Sequence, residues 1–235
     1  MGMGKIVAAR TAARLVLSRN PEIVGVGTGS TVGFFIEELS ASPKAVGMKY
    51  VASSLDTARK LASRGLVVLD PSVVESVDIY IDGADEVDPA GRMVKGRGAA
   101  HLAEKMLAYR SRTNIFIVDE SKLVSRLGEK KPVPISVLPE AIEFVLRSIG
   151  RLGYRAAVRS GSCKDGPCID DNGFIVVDVW TGPMEDPEIV ELQLKSIPGV
   201  VETGLFIGLT DLVIVGRSDG RVEEFRASRT RGLHL

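Results

Sequence analysis

Four short segments hold side chains suited to an anionic, hydroxyl-rich ligand. Gly27-Thr-Gly-Ser-Thr31 falls between an apolar run and a helix-like stretch, where glycines let the backbone approach an oxyanion and a helix start offers open N–H groups. It reads as a cradle for a phosphate or a sugar hydroxyl, with a plain tight turn as the alternative. It lacks the Lys-Ser/Thr ending of the nucleotide P-loop and the full Gly-x-Gly-x-x-Gly spacing of dinucleotide binders. Asp82-Gly-Ala-Asp85-Glu86-Val-Asp88 sets four carboxylates in seven positions after an apolar strand. Asp82 and Asp85 are acceptors able to orient the hydroxyls of a polyol, while the small Gly83 and Ala84 leave room for it. A helix cap, a solvated acidic turn or a divalent cation site would also suit such a cluster, although no histidine is near and the calcium-loop spacing is absent.

Lys95-Gly-Arg-Gly-Ala-Ala-His-Leu-Ala-Glu104-Lys105 is a second glycine loop opening into a helix. Lys95 offers a positive charge there, and Glu104 lies one turn beyond Ala100 on the same face, as either an exposed helix carboxylate or a proton carrier. Lys122, just after the strand Ile115–Val118, is able to meet a phosphate as a point charge or to stand in solvent. Ser53 and Ser54 read first as helix caps. His101 reads as an ordinary helix residue, and with His234 as the only other histidine a histidine metal site is not expected.

The elements that must hold these loops follow from periodicity. Ile6, Ala9, Ala13 and Leu17 share a helical face, and that helix should stop near Asn20-Pro21. Ile23–Val26, Tyr50–Ala52, Val67–Leu69, Val77–Ile81 and Ile115–Val118 are short, continuously apolar strands, alternating with helices over about Val32–Leu39, Leu55–Ser63 and Ala99–Arg110. Such strands predict an α/β fold with a parallel sheet covered on both faces, its functional loops gathered at the strands' carboxyl ends. After Lys131-Pro-Val-Pro134 the texture changes: helices over Pro139–Ile149 and Glu188–Ser196 and a strand Phe174–Trp180 between turn signals predict a small α+β domain with an antiparallel sheet. The apolar Leu205–Leu209 and Leu212–Val215 are expected to return to the first sheet. The expected division is therefore 1–132 with 206–235, and 133–205.

With 235 residues the chain exceeds one typical domain, and its 30 basic residues balance 30 acidic ones. A zero net charge supplies no global field to draw in nucleic acid or an anionic membrane, so an anionic ligand must be gathered locally. No apolar run approaches the ~20 residues of a membrane span, and the first residues lack a secretion-type stretch, so a cytoplasmic protein is expected. Cys163 and Cys168 form no Cys-x-x-Cys or zinc pattern; they read as reduced thiols at a hairpin tip, with a local disulfide as the alternative.

Taken in order, the two glycine loops, the Asp-Gly-Ala-Asp-Glu block, the Glu104-Lys105 pair and the Ser121-Lys122 pair resemble ribose-5-phosphate isomerase of the A type. Asp171-Asn-Gly173 and Gly204-Leu-Phe206 extend the likeness over nearly the whole chain. The resemblance implies a Rossmann-like main domain, a smaller ferredoxin-like α+β domain, no metal or organic cofactor, and a homodimer or homotetramer. It implies a substrate site of Thr28, Gly29, Ser30, Thr31, Asp82, Gly83, Ala84, Asp85, Lys95, Gly96, Arg97, Gly98 and Lys122, a sugar phosphate as the ligand, and Glu104 as the catalytic base with Asp82, Asp85 and Lys95 in support. Two positions depart from the family. Arg97 stands where a glycine is usual, and Lys5 is the only first-helix lysine available for a substrate contact, at a spacing that looks shifted.

Aldose–ketose isomerisation moves one proton between C1 and C2 through a cis-enediolate, so one carboxylate on one face of the sugar suffices. Lys95 and the N–H groups of Gly96, Arg97 and Gly98 are the expected donors to the oxyanion, and Asp82 is expected to assist ring opening. A sugar-phosphate sensor domain is a competing reading, but no helix-turn-helix precedes Gly27. An amino-sugar phosphate deaminase or acyl-CoA transferase is another, and the deaminase would favour a histidine near the acidic block.

Overall fold

The computed structural model describes residues 2–161 and 165–232. Cys163 and His234, and with the former the question of a Cys163–Cys168 disulfide, lie outside the described residues. In chain order the elements are α1 (Met3–Arg19), β1 (Ile23–Val26), α2 (Ser30–Ser40), β2 (Lys49–Ala52), α3 (Leu55–Ala62), β3 (Val67–Leu69), β4 (Val77–Asp82), β5 (Glu86–Val87), β6 (Met93–Val94), α4 (His101–Arg110), β7 (Ser111–Asp119), β8 (Val133–Val137), α5 (Ile142–Arg151), β9 (Arg155–Val158), β10 (Ile175–Trp180), α6 (Pro187–Lys195), β11 (Val200–Thr203), β12 (Leu205–Phe206), β13 (Leu212–Gly216) and β14 (Val222–Arg226). They form two compact units: Met1–Ala84 with Ala103–Leu123 and Gly208–Leu235, and Asp85–Leu102 with Val124–Ile207.

The first unit is a seven-stranded sheet in the order β14-β13-β7-β4-β1-β2-β3, parallel except for the β13–β14 hairpin edge. The inner strands β1, β4 and β13 and the second half of β7 are mostly apolar and buried because both faces are covered there, while the edge strand β14 carries Glu223, Glu224 and Arg226 to solvent. From β1 the chain passes first to β2 on one side and later to β4 on the other, so the strand order reverses there. Loops after β1 and β4 therefore diverge from adjacent carboxyl ends, the place where such sheets bind ligands. Helix α1 ends where Asn20 turns left-handed at φ 49°. Its buried stripe is Gly4, Ala8, Ala9, Ala12, Ala13 and Val16; Ile6 and Leu17, expected inward, are only partly covered. The small residues face in because the helix lies against β13: a side chain at Gly216 would begin 1.8 Å from the Gly4 carbonyl oxygen.

The second unit runs β8-α5-β9-β10-α6-β11 with sheet order β11-β8-β10-β9, every pair antiparallel, which is the ferredoxin-like arrangement. Val145 and Ile149 of α5 and Val190 and Leu194 of α6 supply its core with Val133, Ile135, Val177 and Val179. This unit takes in more chain than 133–205. The two-residue strands β5 and β6 pair with β12 in a separate three-stranded sheet, and Val124 and Leu127 pack in the same core. Only Leu212 onward returns to the large sheet; Leu205 and Phe206 pair with Val94 and Met93. Among the described residues no helix is long and apolar enough to cross a membrane.

Candidate functional site

In the first unit the Gly27–Thr31 loop is built around Asp82. The Gly27 N–H donates to the Ile81 carbonyl at 2.8 Å, and a side chain at Gly27 would begin 1.9 Å from the Asp82 carboxyl carbon, so only glycine fits. Asp82 is fully buried at the end of β4. Its Oδ1 accepts the N–H groups of Thr28 (3.2 Å) and Gly83 (2.7 Å), and its Oδ2 accepts the Tyr80 hydroxyl. Gly29 takes φ 112° and precedes α2, where Ser30 and Thr31 begin the helix. Helix α3 braces the same loop: Thr57 Oγ1 donates to the Gly27 carbonyl at 2.7 Å, and Ser54 Oγ bonds Thr28 Oγ1 at 3.0 Å. Ser54 also accepts the Thr57 N–H, so it is the cap the sequence suggests.

Glu104 stands in the first turns of α4 and is 3% exposed, so it is no solvated helix carboxylate. Its charge is felt at Tyr80, whose phenol is pushed well above the usual tyrosine range by burial, by Asp82 and by Glu104. Tyr80 therefore remains a proton donor to Asp82, and its hydroxyl lies in the joint field of both carboxylates. Sequence reading passed over Tyr80, since a tyrosine within an apolar strand looks like core. Lys122 ends a short 3-10 turn, Glu120–Lys122, after β7 and is half-buried. Lys5, left open in the sequence, donates its Nζ to Ser30 Oγ at 3.0 Å. The signal for it was a cation in the first turn of α1.

In the second unit the acidic block separates by function. Glu86 is fully buried; its Oε1 accepts the N–H groups of Lys130 (2.5 Å) and Lys131 (2.7 Å), and its Oε2 that of Gly128 (2.6 Å). Asp88 accepts the N–H groups of Ala90 and Arg92 and pairs with the Arg92 guanidinium at 2.6 Å. These two carboxylates hold turns, which removes them from a cation site. Among the described residues no three His, Cys, Asp or Glu side chains come together as metal ligands.

Asp85, half-buried, accepts the Arg97 N–H through Oδ2 at 2.9 Å, tying the acidic block to the second glycine loop. Lys95 is buried with its ammonium 5.2 Å from the centroid of the Phe206 ring. Gly96 adopts φ 108° against His101: a side chain there would begin 2.8 Å from His101 Nδ1. Ala99 is left-handed at φ 55°, a strained setting for a residue with a β-carbon, and α4 begins after it at His101 rather than at Ala99. His101 is fully buried, with Nε2 3.0 Å from Ser136 Oγ, which in turn donates to Asp170 Oδ2 at 2.8 Å. The Arg97 side chain and Gly98 are exposed.

Residues 49–220 match the model of a family described as ribose 5-phosphate isomerase A, or phosphoriboisomerase A. The ribose-5-phosphate isomerase A of Aeropyrum pernix is 50% identical over 197 residues, 83% of each chain. The solved ribose 5-phosphate isomerase A of Methanocaldococcus jannaschii superposes with a TM-score of 0.88 at 35% identity, covering 94% of this chain and 97% of that one. A D-ribose-5-phosphate isomerase solved in complex with phospho-erythronic acid gives 0.89 at 36% identity over the same shares.

Proposed function

The chain belongs to the ribose 5-phosphate isomerase A family and interconverts ribose 5-phosphate and ribulose 5-phosphate, and we propose that Glu104 moves the proton between C1 and C2. The observation that carries this reading is the buried carboxyl of Glu104, whose charge acts on the Tyr80 phenol that holds Asp82. A base of this kind contributes about 10²–10⁴-fold. Phospho-erythronic acid, bound by a relative, fits the same chemistry, because its planar carboxylate has the charge and shape of a cis-enediolate.

The negative charge that develops on the sugar's oxygens falls to Lys95 and the N–H groups of Gly96 and Gly98, since the Arg97 N–H is taken by Asp85. Asp82 assists ring opening and orients hydroxyls with Asp85 in support, while the same Asp82 carboxylate holds Thr28 and Gly83. Thr28, Gly29, Ser30 and Thr31, at the start of α2, gather the phosphate with Lys5, while Gly83 and Ala84 leave space and Lys122 and Arg97 add positive charge. The enzyme in this reading is cytoplasmic, homodimeric or homotetrameric, and independent of metal.

Lys5→Gln should raise KM for ribose 5-phosphate about tenfold, the effect of losing one charge-assisted contact, with kcat within about threefold. Steady-state kinetics check this. A coupled assay following ribulose 5-phosphate is expected to give equal rates with and without EDTA. Loss of turnover in the chelator would end the metal-independent mechanism.

A further inference from the structure

We propose that Arg159, anchored by Asp178, is a positioning residue for the isomerisation, holding two peptide planes of the Lys95–Gly98 loop so that the Arg97 N–H stays on Asp85 and the Gly98 N–H meets the charge forming on the sugar. This rests on the reading that the second glycine loop receives the oxyanion.

Arg159 lies one residue beyond β9, and its N–H still bonds the Val176 carbonyl of β10 at 2.9 Å, so its backbone is fixed by the sheet. Asp178, in β10 opposite Ala157, takes one edge of the guanidinium with both oxygens: Nε donates to Oδ2 at 2.9 Å and Nη2 donates to Oδ1. The remaining nitrogen, Nη1, donates to the Gly96 carbonyl at 2.8 Å and the Arg97 carbonyl at 3.1 Å. The pair is largely shielded, at 19% and 14% side-chain exposure, where charge-assisted bonds are stronger than in water.

In a trans peptide the C=O and N–H point in opposite directions. Binding the Gly96 carbonyl turns the Arg97 N–H the other way, where it meets Asp85. Binding the Arg97 carbonyl does the same for the Gly98 N–H. A cation on the carbonyl side also polarises both peptide units and makes their N–H groups better donors. The loop needs such a hold, because Gly96 and Ala99 are both left-handed and the alanine, with its β-carbon, is strained there. The flat, forked guanidinium satisfies Asp178 and two carbonyls together, which an ammonium does not.

The test compares Arg159→Met, Arg159→Lys and Asp178→Asn with the parent enzyme, reading kcat, KM, melting temperature and the affinity for phospho-erythronic acid. Arg159→Met and Arg159→Lys are expected to lower kcat about 10²-fold, the loss typical of a displaced oxyanion donor, with KM within about threefold. Asp178→Asn should lower kcat about tenfold, and phospho-erythronic acid should weaken in step with kcat across the series. Methylguanidinium, below concentrations that unfold the protein, should restore part of the kcat of Arg159→Ala; a purely structural role would not respond to it. An unchanged kcat in folded Arg159→Met, or a kcat loss no larger than the loss of folded protein in all three variants, overturns the inference. Lys95→Met separates the two levels. If it retains kcat and inhibitor affinity, the loop reading itself fails; if it loses both while Arg159→Met retains them, only the role of Arg159 fails.

Discussion

Glu104→Gln is expected to lower kcat by about 10²–10⁴-fold while KM moves by less than about threefold. The amide keeps the volume and the planar end of the carboxylate, so packing against the buried start of α4 is retained, but it cannot accept a proton from carbon. Water cannot readily replace it, because only 3% of the residue is exposed. Glu104→Asp should fall between, since the carboxyl retreats by one methylene, and a misplacement of about 1 Å can cost roughly 10²-fold. The hydroxyl of Tyr80 stays protonated in each case: burial is the first cause of its raised pKa, and the Asp82 charge remains when that of Glu104 is removed. The loop held by Asp82 should therefore survive the substitution, and a Glu104→Gln enzyme with near-parent kcat would remove Glu104 from the proton transfer.

The strand, glycine loop and helix around Gly27 were legible because they obey local rules: a continuous apolar run for a strand covered on both faces, then glycines, then a helix. The burial of Glu104 was not legible, since the same helix position in another setting would face solvent. The acidic block shows the limit more sharply. Asp82, Asp85, Glu86 and Asp88 are one residue type in sequence, yet their parts are decided by donors elsewhere in the chain. Glu86 finds its three N–H partners 42 to 45 residues away. The Arg159 bonds to Gly96 and Arg97 span 63 and 62 residues, and no periodicity marks them. The strands β5, β6 and β12 have two residues each, too few for an alternation to register, so the extent of the second unit could not be read in advance. Of the face expected for α1, Ala9 and Ala13 are buried, whereas the larger Ile6 and Leu17 are only partly covered. At the Gly4–Gly216 approach of helix to strand only glycine fits, and the rest of the buried face is filled by Ala8, Ala9, Ala12, Ala13 and Val16.

Glu86→Ala should be the most damaging single change to stability in the acidic block, lowering it by about 3–5 kcal/mol. Three N–H groups, of Gly128, Lys130 and Lys131, converge on one fully buried carboxylate, and each would lose its acceptor. An unsatisfied buried donor costs about 1–3 kcal/mol, so three cost about 3–9 kcal/mol, and partial exposure of this turn brings the total toward the lower end. Gly128 adds a constraint of its own: it is left-handed at φ 85°, and a side chain there would begin 2.2 Å from the Gly182 carbonyl oxygen, so the turn has little freedom to re-form its bonds elsewhere. For a chain of this length 1 kcal/mol shifts the melting temperature by roughly 2–4 °C, which puts the expected drop near 10 °C by calorimetry or circular dichroism. Glu86→Gln keeps one carbonyl oxygen as acceptor and should lose about half as much. Because Glu86 holds a turn and has no part in the proton transfer, the kcat of whatever fraction remains folded at 25 °C should stay within about threefold of the parent. A loss of kcat as large as that of Glu104→Gln in a folded Glu86→Gln enzyme would return this carboxylate to the chemistry.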